Sequence, residues 1–136
     1  MFHLSGGSVR GCREAMAAVR RAGAGSLSRA AAAIRLRAVQ SIRQSPRGQP
    51  SAPGSPPRTR RGLLRRAILC ALLEEDGFPA AVIGPSFDLA GLSGKAHEFG
   101  GRFRGMDFPA RPFMGPALDV IANRLPSFFA GSLKEP

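Results

Sequence analysis

The chain has 136 residues, the length of a single domain, and 43% of them are apolar, which is enough for a modest core. It has 12 prolines and 17 glycines, and because these cluster we expect the folded part to be shorter than the chain. It has no Trp and no Tyr. No apolar run reaches the length of a bilayer-spanning helix, and the sequence therefore predicts no membrane contact.

The formal net charge of +11 comes entirely from the first half of the chain. Residues 1–73 contain fourteen arginines and one acid, whereas residues 74–136 contain six basic and eight acidic residues. One end of the molecule should therefore be strongly electropositive. Because arginine pairs with phosphates and carboxylates through two donors, this half suggests a polyanion or an acidic protein partner. A solvated basic face that reflects only a GC-rich genome is the alternative.

Cys12 and Cys70 have no CxxC spacing and follow no secretory signal. We predict no metal, cofactor or disulfide and interpret both cysteines as small buried or half-buried residues. Residues 1–61 are rich in Arg, Ala and Ser, as in a mitochondrial transit peptide. Cleavage there would leave a chain of only about seventy residues with a small core, so we keep this interpretation as an alternative.

Two helices are predicted at the start of the chain. The first covers residues 11–22 and ends at the glycines of segment 23–25. The second covers residues 28–44, with Ser26 or Ser28 as its N-cap, and the prolines that follow stop it. Its apolar residues recur at three- and four-residue steps and form one stripe. The stripe consists of Leu27, Ala30, Ala31, Ile34, Ala38 and Ile42.

Residues 44–62 contain five prolines and three glycines, so they should join neither a helix nor a regular ladder. A basic loop of this length inside a domain is usually functional or disordered. We interpret residues 45–62 as an extended arm that becomes ordered against a neighbour or lines a surface, with a solvated linker as the alternative. Basic residues in and after this arm that are predicted to face DNA or a partner are Arg47, Arg58, Arg60, Arg61, Arg65 and Arg66.

An antiparallel strand pair with its turn near Asp76–Gly77 is predicted over residues 63–86. The composition of residues 63–75 also suits a helix. A loop is expected over residues 85–95, followed by a helical or strand turn that contains the sequence HEFGG (97–101).

The last elements are a strand over residues 108–113 and a helix that starts at Gly115–Pro116. Its predicted buried stripe is Leu118, Ile121, Ala122 and Leu125, and Phe128 and Phe129 follow as an apolar patch. The whole pattern predicts an α+β fold in which N-terminal helices and a C-terminal helix pack on a small antiparallel sheet. The predicted organisation is a segment with a short helix (1–26), the α+β domain (27–125) and a tail (126–136).

The sequences HEFGG and PARPFMGPAL (109–118) are the strongest candidates for a functional surface. Strand alternation would point Glu98 and Phe99 to opposite faces, and we predict that Glu98 pairs with Arg111, Arg65 or Arg66, either within the subunit or across a contact between subunits. An exposed acid worth only about 0–1 kcal/mol is the alternative. We also expect a backbone conformation that needs glycine at the Gly-Gly pair and a core role for Phe113. The predicted interface residues are Glu98, Phe99, Gly100, Gly101, Arg111, Pro112 and Phe113.

Four features in this order resemble the tail-completion, or head–tail neck, proteins of long-tailed bacteriophages. The first is the amphipathic helix 28–44. RRGLLRRAI (60–68) is similar to the family's TGxLRxSI, HEFGG to its YAxxxEFGT and PARPFMGPAL to its xARPFLxPAL. Together the four features cover roughly residues 27–125. The chain departs from that pattern at Arg61, Ala67 and Gly101, where the family has Thr, Ser and Thr.

The resemblance implies a virion structural protein that forms a homo-oligomeric ring and has no enzymatic activity. We expect six copies that join the tail to the DNA-filled head. The expected partners are other connector proteins, the tail terminator or tail tube, and packaged DNA through non-specific contacts. The expected location is the neck of the virion, after assembly in the host cytoplasm.

Two other function classes compete with this one. A basic nucleic-acid-binding protein, organellar if the N-terminus is a transit peptide, would use the arginine-rich half. Residues 1–77 contain only Phe2 as an aromatic for base stacking. An enzyme is the weakest class, because His97 has no second acid, Ser or Cys at a useful spacing.

Overall fold

The computed structural model describes the backbone of residues 6–132 and the side chains from residue 11 onward. Predictions for residues 1–5 and 133–136 lie outside the described residues. The α+β class is confirmed, since helices combine with small two-stranded sheets. The elements are α1 (Gly6–Ser41), β1 (Arg43–Gln44), β2 (Arg58–Thr59), α2 (Leu63–Ala67), β3 (Ile68–Glu75), β4 (Phe78–Pro85), α3 (Phe87–Ala90), α4 (Ser93–Phe99), β5 (Gly101–Phe103), β6 (Met106–Phe108), α5 (Met114–Ala122) and α6 (Leu125–Phe129).

Helix α1 is continuous, and the prediction of two separate helices is wrong. It passes through Gly23 and Gly25 without a break, because an internal glycine costs only about 1 kcal/mol relative to Ala and the surrounding residues favour a helix. Ser26, a predicted N-cap, is instead fully buried in mid-helix and accepts a hydrogen bond from Arg29 Nη2 at 3.1 Å. Residue 26 is therefore not a structural boundary.

The core lies where the second half of α1 meets α2, the start of β3 and α5. The predicted stripe on α1 is confirmed, since Ala30, Ala31, Ile34, Ala38 and Ile42 are buried. From the rest of the chain Leu64, Ile68, Phe113, Ala117 and Ile121 complete the same cluster. The described part of the chain thus has one small core, formed around one half of a long helix.

Phe113 is fully buried, which confirms its predicted role as a core anchor. It lies just before α5, and Ala117 and Ile121 follow at four-residue steps on the same face of the helix. Leu118, predicted to be buried, is 47% exposed. The spacing from Phe113 sets the buried side of α5, and this side excludes Leu118.

Strands β3 and β4 form the predicted antiparallel hairpin. The turn residues Asp76 and Gly77 both have positive φ, 51° and 79°, as a two-residue turn matched to strand twist requires. Neither prediction for residues 63–75 holds in full, because residues 63–67 form α2 and the strand starts at Ile68. Ile68 is buried, whereas the other residues of β3 are exposed.

The segment between the hairpin and α5 is more helical than predicted. Helices α3 and α4 occupy most of the expected loop 85–95, and α4 includes Glu98 and Phe99, so these two residues do not alternate on a strand. The expected strand over residues 108–113 is wrong, because β6 ends at Phe108 and residues 109–113 form no strand. Prolines at 109 and 112 have no N–H to donate to a ladder, and this ends the pairing.

The prediction of an extended arm at residues 45–62 is wrong. This segment folds back on the body, where Ser51 and Pro57 are buried and the Gly54 N–H donates to the Ala110 carbonyl at 2.8 Å. A parallel bridge between β1 and β2 closes its base. The bridge uses Arg58 and Thr59, which follow the prolines and so retain their N–H groups.

Both cysteines are exposed free thiols, so their predicted burial is wrong. Cys12 lies on the part of α1 that precedes the buried stripe, where most side chains are exposed. Cys70 lies on β3 after the strand has left the core at Ile68. Cysteine is a small apolar residue, which suggested burial, but the core does not extend to either position.

Replacement of Phe113 by Ala should lower the free energy of unfolding by about 3–5 kcal/mol, because it removes the largest fully buried side chain. Phe99, which is 75% exposed, provides the matched control. Denaturant titrations at fixed protein concentration should show a large loss for Phe113→Ala and little change for Phe99→Ala. Similar losses in the two variants would contradict the assigned core.

Candidate functional site

The Glu98 carboxylate binds the N-terminus of α5. Its Oε2 accepts hydrogen bonds from the backbone N–H groups of Phe113 and Met114 at 2.8 and 2.9 Å, and its Oε1 accepts one from Gly115 at 2.8 Å. The first N–H groups of a helix have no partner inside the helix and carry partial positive charge. A carboxylate from the preceding helix therefore caps α5 from a distance of fifteen to seventeen residues in sequence.

Within the subunit the Glu98 oxygens accept hydrogen bonds from backbone amides rather than from Arg65, Arg66 or Arg111. Pairing with an arginine across a subunit contact stays a prediction. Glu98 is not a solvated acid of little energetic value, because hydrogen bonds to charged groups contribute about 1.5–3 kcal/mol. No local sequence pattern indicates that Glu98 caps α5, because the β5–β6 hairpin separates the two.

The prediction that the Gly-Gly pair needs glycine is confirmed. Gly100 and Gly101 have φ of 66° and 121°. A Cβ on Gly100 would lie 2.7 Å from the Ala110 nitrogen and 2.8 Å from the Phe108 oxygen, which backbone atoms cannot accommodate. Gly100 therefore lets the end of α4 approach the segment before α5 closely enough for Glu98 to reach its amides.

Arg111 connects this region to the proline-rich loop. Its backbone N–H donates to the His97 carbonyl at 2.6 Å, and its Nε donates to the Ser51 carbonyl at 2.9 Å. HEFGG and PARPFMGPAL thus form one interlocked unit, which we call the motif lock and define as residues 97–101 and 109–115. Of the predicted interface residues, Glu98, Gly100 and Phe113 serve this internal contact, whereas Phe99 remains exposed.

A cleft of about 650 Å³ lies beside the motif lock. Arg102, Arg104 and Arg111 line it together with His97 and apolar side chains of the β5–β6 hairpin. Burial, and next the positive charge of Arg111, lower the pKa of His97 below its usual value. Ser93 also lines the cleft, but its hydroxyl donates to the Ala90 carbonyl at 2.7 Å.

The β3–β4 hairpin presents an apolar face to solvent. Side chains of one strand alternate between two faces, and directly paired residues share a face. Ile68 and Ile83 point to the core side. The opposite face also carries Glu75, and its exposed apolar residues, which we call the outer hairpin face, are Leu69, Ala71, Leu73, Phe78 and Val82.

Among the side chains of residues 11–132, most of the outer hairpin face stays open to solvent, while Phe78 borders a groove against α1. Leu69 is 47% exposed, Val82 57% and Phe78 68%. The sheet contains only β3 and β4 among the described strands, so each has a free edge. A two-stranded hairpin is marginal in water without packing partners, and an open apolar strand edge readily pairs with another chain.

Arginines line adjoining clefts at the base of this hairpin. One cleft of about 410 Å³, which we call the root cleft, is lined by Arg35, Arg61, Arg65 and Arg66 with Val39, Gln44 and Gly62. Arg35 Nε donates to the carbonyl of Ile68, the first residue of β3, at 2.7 Å. Arg58 and Arg60 line a neighbouring cleft that shares Arg61. The structure thus brings together five of the six predicted basic residues, and Arg47 lines neither cleft.

Comparisons with protein-family models, curated proteins and solved structures found no match to this chain. No group of three or more metal-ligating His, Cys, Asp or Glu side chains occurs among the described residues. No helix in that part of the chain combines the length and apolarity needed to cross a bilayer. The motif lock, the outer hairpin face and the arginine clefts are therefore the candidate functional features of the described residues.

Replacement of Glu98 by Gln should lower the free energy of unfolding by about 1–3 kcal/mol, because an amide retains a single accepting oxygen for three backbone donors. Glu14→Gln, which changes an exposed acid on α1, is the control for the loss of one negative charge. Both variants would be compared in denaturant titrations at neutral pH. Equal stability of the two variants would show that the capping contact contributes nothing.

Gly100→Ala and Gly105→Ala separate steric exclusion from backbone strain. Both glycines have positive φ, 66° and 77°, but only at Gly100 would the Cβ meet backbone atoms, whereas at Gly105 nothing lies within 4 Å. Gly105→Ala should cost about 1–2 kcal/mol from left-handed strain alone. Gly100→Ala should cost clearly more in the same thermal and denaturant measurements. A ranking in the opposite order would refute the close approach.

Proposed function

We propose that this chain is a virion structural protein that forms a ring at the head–tail junction of a long-tailed bacteriophage. It would act as a connector (neck) or tail-completion subunit and join the tail to the DNA-filled head. The observation that carries the proposal is the outer hairpin face. A small subunit that leaves a five-residue apolar face and two strand edges open is suited to assembly with other copies.

The motif lock supports the same proposal. The segments that resemble the neck family, HEFGG and PARPFMGPAL, bind each other through Glu98, Gly100 and Arg111. Contacts between these two segments fix the shape of the subunit. A closed ring requires the same shape in every copy. The Glu98 carboxylate and the Ser93 hydroxyl both form hydrogen bonds with backbone groups. These structural bonds fit a role without enzymatic activity.

Ring closure follows from contact geometry. A heterologous contact, in which different patches of two identical subunits meet, gives a closed ring when its rotation divides a full turn. The resemblance implies six- or twelve-fold symmetry, and we expect six. One face of the ring would bind other connector proteins at the head, and the other would bind the tail terminator or the tail tube.

A nucleic-acid-binding protein is the second candidate. The arginine clefts favour it, because Arg58, Arg60, Arg61, Arg65 and Arg66 line adjoining depressions at the surface. Guanidinium groups bind phosphates through counterion release, and such binding weakens steeply with salt. The two functions are compatible in a ring that DNA passes through, so DNA binding alone would not separate them.

Light scattering after size-exclusion chromatography, together with negative-stain images, tests the proposal. The purified protein should form closed rings, with a mass of about 86 kDa for six copies of the 14.3 kDa chain. Leu69→Ser with Leu73→Ser should reduce the mass to that of smaller species, because it makes the outer hairpin face polar.

Leu118→Ser with Val120→Ser is the matched control, since both side chains are 47% exposed and lie on α5, outside the hairpin. The control should keep the wild-type mass, and circular dichroism should show that both double variants are folded. A wild-type protein that remains a folded monomer at high concentration would overturn the proposed function.

A further inference from the structure

The β3–β4 hairpin carries opposite charges at its two ends. The turn end consists of Glu74, Glu75 and Asp76, all exposed, and we call it the acidic tip. The other end meets the root cleft, where four arginines occur without a carboxylate among the lining residues. The strand between them has eight residues, so at about 3.3 Å per residue its ends lie roughly 23 Å apart.

This separation prevents the two charged ends from neutralising each other within one subunit. It exceeds the screening length of about 8 Å at physiological ionic strength. Arg20 on α1 approaches the turn, with its Nη2 3.9 Å from the position of a Cβ on Gly77. One guanidinium beside three carboxylates leaves the acidic tip with net negative charge.

A second copy of the chain matches all three parts of this surface. The outer hairpin face lies between the acidic tip and the root cleft, so an occupant must offer apolar cover together with both signs of charge. Another copy displaced by about the length of the hairpin would place its acidic tip at the root cleft, with the apolar residues next to that tip, Leu73 and Phe78, beside Leu69 at the root end of the outer hairpin face. Packaged DNA would satisfy the arginines but would repel the acidic tip.

We propose that neighbouring subunits join head to tail, with the acidic tip of one hairpin seated in the root cleft of the next copy. The two ends of the outer hairpin face, Leu69 of one copy and Leu73 with Phe78 of the next, then meet between them. This inference rests on the proposed ring and specifies its subunit contact. Each subunit binds one neighbour through its acidic tip and the other neighbour through its root cleft. Because these are different patches, the contact is heterologous. The complementary charges set the register, and the apolar face contributes buried area.

Charge reversal and its compensation test this contact. The tip variant carries Glu74→Lys and Glu75→Lys, the cleft variant carries Arg65→Glu and Arg66→Glu, and a third chain carries all four changes. Asp76 is left unchanged because of its positive φ. By light scattering, the tip variant and the cleft variant should each dissociate to monomers. The four-change chain should form rings again, and so should an equimolar mixture of the tip and cleft variants.

Control variants with the same charge change elsewhere are Asp107→Lys with Asp119→Lys and Lys95→Glu with Arg102→Glu, all at exposed positions. Both should keep the wild-type mass. Rings that persist in the tip and cleft variants would overturn the head-to-tail contact while leaving the proposed ring intact. A cleft variant that keeps its ring but loses binding to a DNA duplex would assign the arginines to DNA and also overturn it. Wild-type protein that forms no ring would refute the proposed function, and a two-fold dimer would exclude the heterologous contact.

Discussion

The hydrogen bonds from the start of α5 to the Glu98 carboxylate hold the C-terminal half of the molecule in place. They fix the first turn of α5, and thereby place Phe113 in the core with Ala117 and Ile121 behind it. The close approach that they need is possible because position 100 has no Cβ. One carboxylate and one glycine thus connect local backbone shape to the packing of the whole domain.

The same contact organises the proline-rich loop. Arg111, held by its N–H to α4, reaches the Ser51 carbonyl, and the Ala110 carbonyl receives the N–H of Gly54. The loop therefore lies against the body, and its final arginines are presented beside the root of the hairpin. Residues that determine shape and residues available to partners are separate in this molecule, although they are close in sequence.

Several features could be predicted from local pattern alone. The stripe on α1 follows from three- and four-residue spacing, the hairpin turn from Asp76–Gly77, and the need for glycine at position 100 from the Gly-Gly pair. The arginine surface follows from the charge asymmetry of the sequence. The break in α1 was predicted wrongly, because the local cost of a glycine is smaller than what the surrounding helix formers contribute.

By itself, the amino-acid sequence determined the fold class, the buried stripe, the hairpin and the location of the charge, because each depends on neighbours within a few residues. Only the tertiary structure decided the partner of Glu98, the folding back of residues 45–62 and the exposure of the outer hairpin face. These features depend on contacts between segments far apart in sequence, and the periodicity of apolar residues does not indicate such contacts. Cys70 on β3 was predicted to be buried or half-buried, yet the core formed by the described residues ends at Ile68 and leaves the rest of the strand exposed.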